Sequence, residues 1–139
     1  MTSISGYQPS AQQEQEITEW FRHYDELVAA GDLEAMADQA LFPLNEVTDD
    51  PQGLALVSAT DRQRFVAQMH EVGVGAEGVQ MRSERHPVFL SSGLVFVVTD
   101  AEFVTDGEPS TMRYGDLLVR TAEGWRFQTM VAGGWSADL

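Results

Sequence analysis

The chain has 139 residues, enough for one domain that buries an apolar core without disulfides or a structural metal. It contains no cysteine and all eight of its basic residues are arginines, which excludes thiol catalysis, thiolate zinc, Schiff-base and pyridoxal phosphate chemistry, and a phosphate-loop lysine. With 22 acidic residues the formal charge is −14, a field that repels nucleic acid and anionic lipid alike.

Residues 1–12, rich in Ser, Gln, Pro and Gly, predict a flexible arm ahead of a single domain spanning 13–139. The arm has neither a basic start nor an apolar run, so no secretory signal is visible, and nothing approaches the roughly twenty apolar residues of a membrane span. A soluble, cytoplasmic protein of bacterial type is expected. Ile17, Trp20, Phe21, Tyr24, Leu27 and Val28 recur at intervals of three and four, predicting a helix from about Ser10 to Ala30 that Gly31 ends. Asp32 caps a shorter helix with Leu33, Met36, Ala37 and Ala40 on its buried edge, closed by Pro43.

From Leu44 to Ser58 the signals are those of a hairpin, with Asp49-Asp50-Pro51-Gln52-Gly53 as its turn. Thr60 or Asp61 then caps a third helix through about Val72, burying Phe65, Val66 and Met69. Beyond Gly78 four long strands follow, Val79 to Val88, Leu94 to Thr105, Thr111 to Thr121 and Trp125 to Gly133, separated by polar, glycine-containing turns. Helices first and strands afterwards predict an α+β domain with the helices on one face of the sheet.

Ala29-Ala30-Gly31-Asp32-Leu33 between the first two helices, and Gly124-Trp125-Arg126-Phe127 opening the last strand, carry a resemblance. Over about residues 14 to 135 the chain resembles the nuclear transport factor two-like superfamily, in particular its group of SnoaL-like polyketide cyclases and steroid Δ-isomerases. The resemblance implies a cone-shaped fold, three N-terminal helices packed on a curved, mainly antiparallel sheet. It also implies cofactor-independent chemistry, although the superfamily holds several enzyme classes as well as adaptors, so fold alone does not choose among them.

In the bacterial steroid Δ5-3-ketoisomerases a tyrosine seven residues before Gly-Asp-Leu donates a hydrogen bond to the substrate oxyanion, and Tyr24 occupies that position. A second donor in that family is a protonated aspartic acid on the penultimate strand, and an ungapped count places Asp116 there. Two neutral donors in a dry cavity stabilise an enolate without the desolvation cost of a full cation. The family's general base, an aspartate followed by proline, falls by the same count on Thr48, which cannot do that work. Asp50-Pro51 reproduces the dipeptide two residues late, as a base or simply as a solvated hairpin turn. Glu46 is the other candidate, because alternation puts it on the same side as Leu44 and Thr48.

Each of these side chains also has a plainer reading: Tyr24 a core tyrosine bonded to a backbone carbonyl, and Asp116 a carboxylate paired with Arg22 or Arg113. Asp116 alternates with Met112, Tyr114 and Leu118 on an apolar strand face. Trp20, Val97, Thr99, Ala101, Phe103, Tyr114, Phe127, Thr129 and Val131 are expected to line the ligand pocket, or to fill it. Asp100 and Glu102 fall on the opposite strand face. His23, His70 and His86 show no metal-ligand spacing, so no metal and no cofactor are expected.

These residues predict a site for a small apolar, carbonyl-bearing molecule, with isomerase or cyclase proton transfer through an enolate. The alternative is a non-catalytic ligand-sensing or dimerisation module of the same fold. In either case the outer sheet face, with Arg126, Gln128, Met130, Phe96 and Val98, is expected to pair two copies as a homodimer.

Overall fold

In a computed structural model, residues 6–75 and 79–134 are described, and Ser10 opens the first helix, α1 (Ala11–Ala30), with a reciprocal cap. Its hydroxyl accepts from the Gln13 N–H at 3.2 Å while the Gln13 side chain accepts from the Ser10 N–H at 2.9 Å. Gly31, at φ 65°, ends α1 by turning its N–H back to Val28 O. Asp32 caps α2 (Leu33–Asp38) and Asp61, rather than Thr60, caps α3 (Arg62–Glu71), each carboxylate accepting from the N–H three residues on.

Several boundaries differ from the sequence expectation, two of them for a clear local reason. The expected arm of residues 1–12 meets the helix at Ala11, and before it Tyr7 sets its ring 6.3 Å from Phe89 and donates to Gln13 Oε1 at 2.7 Å. That aromatic contact gives an otherwise polar stretch something to pack on; residues 1–5 lie outside the description. Pro43 does not close α2 but lies within β1 (Ala40–Asp49). Pairing of β1 lapses between Ala40 and Asn45, the interval that holds a proline with no N–H to give.

The remaining strands are β2 (Ala55–Thr60), β3 (Val79–Ser91), β4 (Leu94–Thr105), β5 (Glu108–Thr121) and β6 (Gly124–Ala132). They form one six-stranded sheet in the order β2-β1-β6-β5-β4-β3, antiparallel except where β1 runs parallel to β6. The helices cover its inner face, giving the α+β cone expected from the sequence. Among the described residues no helix is long and apolar enough to cross a membrane.

Register decides where the core ends and the site begins. Phe89, Val95, Leu118 and Phe127 align across β3, β4, β5 and β6 and pack with Ile17, Phe21, Leu44 and Phe65 into the closed end of the cone. The next inward row is Pro87, Val97, Asp116, Met130, Glu46 and Ser58, which carries two carboxyl groups, on β5 and β1 with β6 between them, in an otherwise largely apolar row. Beyond it come Arg85, Thr99 and Tyr114, then Met112, Met81 and Phe103 toward the open end.

A close backbone approach pins α1 to the segment that follows α3. A Cβ on Gly75 would lie 2.5 Å from Gly31 Cα and 2.8 Å from Gly31 N, whereas one on Gly107, also at φ 81°, would meet nothing within 4 Å. Both positions pay the left-handed penalty for an L side chain, about 1–2 kcal/mol. Gly75→Ala is therefore expected to destabilise the protein by roughly a further 1–2 kcal/mol beyond Gly107→Ala, measured by denaturant titration; equal losses would mean the two segments do not touch.

Candidate functional site

Between the helices and the inner sheet face lies a cavity of about 660 Å³. Helix α1 sends Trp20, Phe21, Tyr24 and Asp25 into it; the sheet contributes Glu46, Arg85, Phe103, Tyr114, Asp116 and Phe127; α3 adds Gln68 and Met69. Tyr24 is fixed by ring contacts: it stacks on Trp20 at 5.3 Å with an interplanar angle of 5°, and meets Phe127 edge-on at 5.4 Å. Trp20 is fixed in turn by its Nε1–H, which donates to Trp125 O at 3.0 Å. Among the described residues the Tyr24 hydroxyl makes no hydrogen bond, so the backbone-bonded reading of this tyrosine does not hold.

Asp116 projects from β5 into the same cavity, 8% exposed, and its carboxyl likewise has no hydrogen-bond partner among the described residues. Neither arginine considered as its partner reaches it. Arg22 pairs with Glu19 on the surface of α1, and Arg113 pairs with Asp100 at 2.6 Å on the outer sheet face, where His86 also meets Asp100. Burial pushes the Asp116 carboxyl up to about 7, with the positive charge of Arg85 acting in the opposite sense. Burial also raises the Tyr24 phenol above its ordinary range, reinforced by the charge of Asp116, so the hydroxyl keeps its proton.

Arg85 is the one cation on the cavity wall among the described residues. Its Nη1 and Nη2 donate to both oxygens of Asp25 at 2.6 and 3.0 Å, Nε donates to Thr99 Oγ1 at 3.1 Å, and the guanidinium lies 4.4 Å over the Phe21 ring. A longer contact, 3.4 Å, runs from Nη2 to the Tyr114 hydroxyl. Burial, the largest single influence, works against its charge, but the hydrogen bonds and charges of Asp25 and Tyr114 together outweigh it and raise the guanidinium above its ordinary value. Neither Arg85 nor Asp25 was singled out from sequence. The available signal was an arginine in the inward phase of an edge strand, facing a helix that carries an aspartate.

Glu46 takes a different solution to burial. It is 3% exposed, accepts from Thr60 Oγ1, and in its satisfying orientation the Gln68 amide donates to both carboxylate oxygens at 3.1 and 3.2 Å. Asp50 is not brought to the site. Its Oδ1 accepts from Gln52 N at 2.8 Å and Leu54 N at 2.9 Å, which makes it the organiser of the β1–β2 turn. Among the described residues, no group of three or more His, Cys, Asp or Glu is placed to hold a metal ion.

The expected pocket wall is corrected on two strands. Trp20, Phe103, Tyr114 and Phe127 line the cavity, but Val97, Thr99 and Ala101 on β4 are buried within its wall, because longer side chains from flanking strands reach over them, as Arg85 does over Thr99. Thr129 and Val131 face outward. A bulge at Gln128, opposite the Leu117–Leu118 step, shifts the alternation by one, so Met130 turns into the cavity and leaves the outer face predicted for it.

No family model matches the chain, and no curated protein is detectably similar to it in sequence. Solved structures are similar in fold. A nuclear transport factor two-like protein of unknown function from Shewanella oneidensis is 13% identical at a TM-score of 0.69, with 87% of this chain and 98% of that one covered. This chain has the nuclear transport factor two-like fold. ActVI-ORFA from Streptomyces coelicolor is 16% identical with a TM-score of 0.63 over 87% of this chain and 96% of that one. A protein described as a candidate scytalone dehydratase from Novosphingobium aromaticivorans gives 16% and 0.64 over 86% and 81%.

The raised Asp116 pKa fixes a sign for stability against pH. A carboxyl that titrates near 7 in the folded state and near 3.8 when exposed holds its proton more tightly in the native protein. That contribution is fully present below about pH 4 and lost as pH rises through about 7. At about pH 8, Asp116→Asn is expected to be more stable than the parent by up to roughly 4 kcal/mol, with the advantage vanishing near pH 4. Denaturant titrations across this range that show a pH-independent difference would mean the carboxyl is not held neutral.

Proposed function

We propose that the cavity binds a small apolar, carbonyl-bearing molecule and moves a proton on the carbon next to that carbonyl. One observation carries this reading: the Tyr24 hydroxyl and the Asp116 carboxyl, both without a partner among the described residues, open onto one apolar void. Each donates a hydrogen bond to the ligand oxygen, Tyr24 as a phenol and Asp116 as a neutral acid, and both bonds strengthen as charge develops on that oxygen. Glu46 lies across Met130 from Asp116, about two strand spacings or roughly 10 Å away along the sheet. A flat molecule between them presents its carbonyl to the donors and an α-carbon to the base.

In the step itself Glu46 takes the α-proton, the C–H electron pair moves into the carbon–carbon bond, and the carbonyl becomes an enolate. Return of the proton to a different carbon is isomerisation. Attack of the enolate carbon on a second carbonyl is aldol cyclisation, and expulsion of a β-hydroxyl is dehydration. The fold is shared with a candidate scytalone dehydratase, which is compatible with the last of these. A second reading, ligand sensing without catalysis, is favoured by the hydrogen bonds that Thr60 and Gln68 already give to Glu46. Under both readings the outer sheet face, where Phe96 lies over Gly115 beside exposed Val88, Leu90 and Leu94, is the proposed homodimer contact.

Binding of a phenol that mimics the enolate, such as 2-naphthol or a steroidal phenol, is expected to change Trp20 fluorescence. Tyr24→Phe and Asp116→Asn are each expected to weaken it by about 10- to 100-fold. Undiminished affinity in both variants would end the oxyanion reading. The cavity wall carries Asp25, Glu46, Glu71 and Asp116 against Arg85 alone, so at about pH 8 the carboxylate analogue 2-naphthoate is expected to bind at least ~10-fold more weakly than 2-naphthol. Exchange of α-protons of a bound ketone into heavy water should disappear in Glu46→Gln while phenol binding persists. Absence of exchange in the parent protein would favour the sensing reading.

A further inference from the structure

Five methionines line the cavity: Met36 from α2, Met69 from α3, Met81 from β3, Met112 from β5 and Met130 from β6. The chain has six methionines, so these are all of them except Met1. They come from five different elements, which no single helical stripe or strand alternation explains. Nor are they general core filler. The closed end of the cone is packed with Ile17, Phe21, Leu44, Phe65, Val95 and Leu118, and Met36 is the only methionine among its fully buried members. Branched and aromatic side chains, which are stiff, fill the space that must stay filled; thioethers face the space that opens.

The polar end of the cavity is rigid by contrast. Tyr24 is held between Trp20 and Phe127, and Arg85 is held by Asp25 and Thr99. Methionine has three rotatable bonds and a polarisable sulfur that packs well on ring edges, so a methionine wall adjusts its outline at little strain. We infer that this cavity takes planar ring ketones, and their phenol analogues, of differing size: the ligand oxygen is fixed at Tyr24 and Asp116 while Met69, Met81, Met112 and Met130 repack around the ring body. The inference rests on the oxygen-binding role of Tyr24 and Asp116 proposed above. Specificity then resides in the oxygen and in the absence of negative charge, not in the number of fused rings.

The test uses the full chain labelled with ¹³C at the methionine ε-methyls and three neutral probes of increasing size: 2-naphthol, a hydroxyphenanthrene and a steroidal phenol. Expected are shifts of the Met69, Met81, Met112 and Met130 methyl signals with every probe, in a different pattern for each, and affinities within about tenfold of one another. Replacing Met69, Met112 and Met130 together by isoleucine, stiff at its first side-chain torsion, should spread the affinities by more than tenfold. Probe binding that shifts Trp20 fluorescence but leaves those methyls in place overturns the inference while the proposed function stands. So does an affinity spread wider than about a hundredfold in the parent protein, a readout that does not need the variant to fold. Failure of all three probes to bind sinks the proposed function itself, and the inference with it.

Discussion

The Asp25–Arg85 ion pair is the constraint on which the site depends. It joins α1 to β3, an edge strand of the sheet, at the place where Phe21 of the apolar core meets the cavity wall. Asp25 is the residue next to Tyr24, so the clamp also fixes the height and rotation of that turn of α1 above β5. Its geometry favours persistence: bidentate, partly buried, backed by Thr99 and seated on Phe21. A partly buried ion pair of this kind adds little net stability relative to an apolar pair, yet losing one partner strands the other charge. Its value here lies in position rather than in free energy.

The same guanidinium sets the electrostatics of the cavity. It opposes the rise in the Asp116, Tyr24 and Tyr114 pKa values that burial produces. Asp116 and Glu46 then show how one sheet row holds two carboxyl groups in contrasting states of satisfaction. Glu46 is surrounded by donors from β2 and α3; Asp116 faces apolar side chains and an open void. Two titratable groups on one wall in dissimilar environments are the arrangement from which acid and base roles arise.

Much of this was legible in local pattern. The three- and four-residue recurrence from Ile17 to Val28 fixed which face of α1 is buried, and period-two alternation on β5 put Asp116 on the inner face, because both periods follow from backbone geometry alone. Alternation also placed Glu46 correctly on β1. It failed on β6, where one extra residue at Gln128 exchanges the two faces and brings Met130 inward in place of Thr129 and Val131. It was insufficient on β4: Val97, Thr99 and Ala101 do face the helices, but their exposure depends on the length of their neighbours' side chains.

Composition by itself determined that this protein works without thiols or lysine amines, and periodicity determined a helix-then-strand chain with a phenol and a carboxyl on inward faces. Tertiary structure alone decided that both open onto one cavity, that Asp50 serves a turn while Glu46 faces the void, and that Arg85 meets Asp25. Those outcomes depend on strand register and on side chains some 60 residues apart along the chain being brought together, which local pattern does not encode: a period says which way a residue points, not what it finds there.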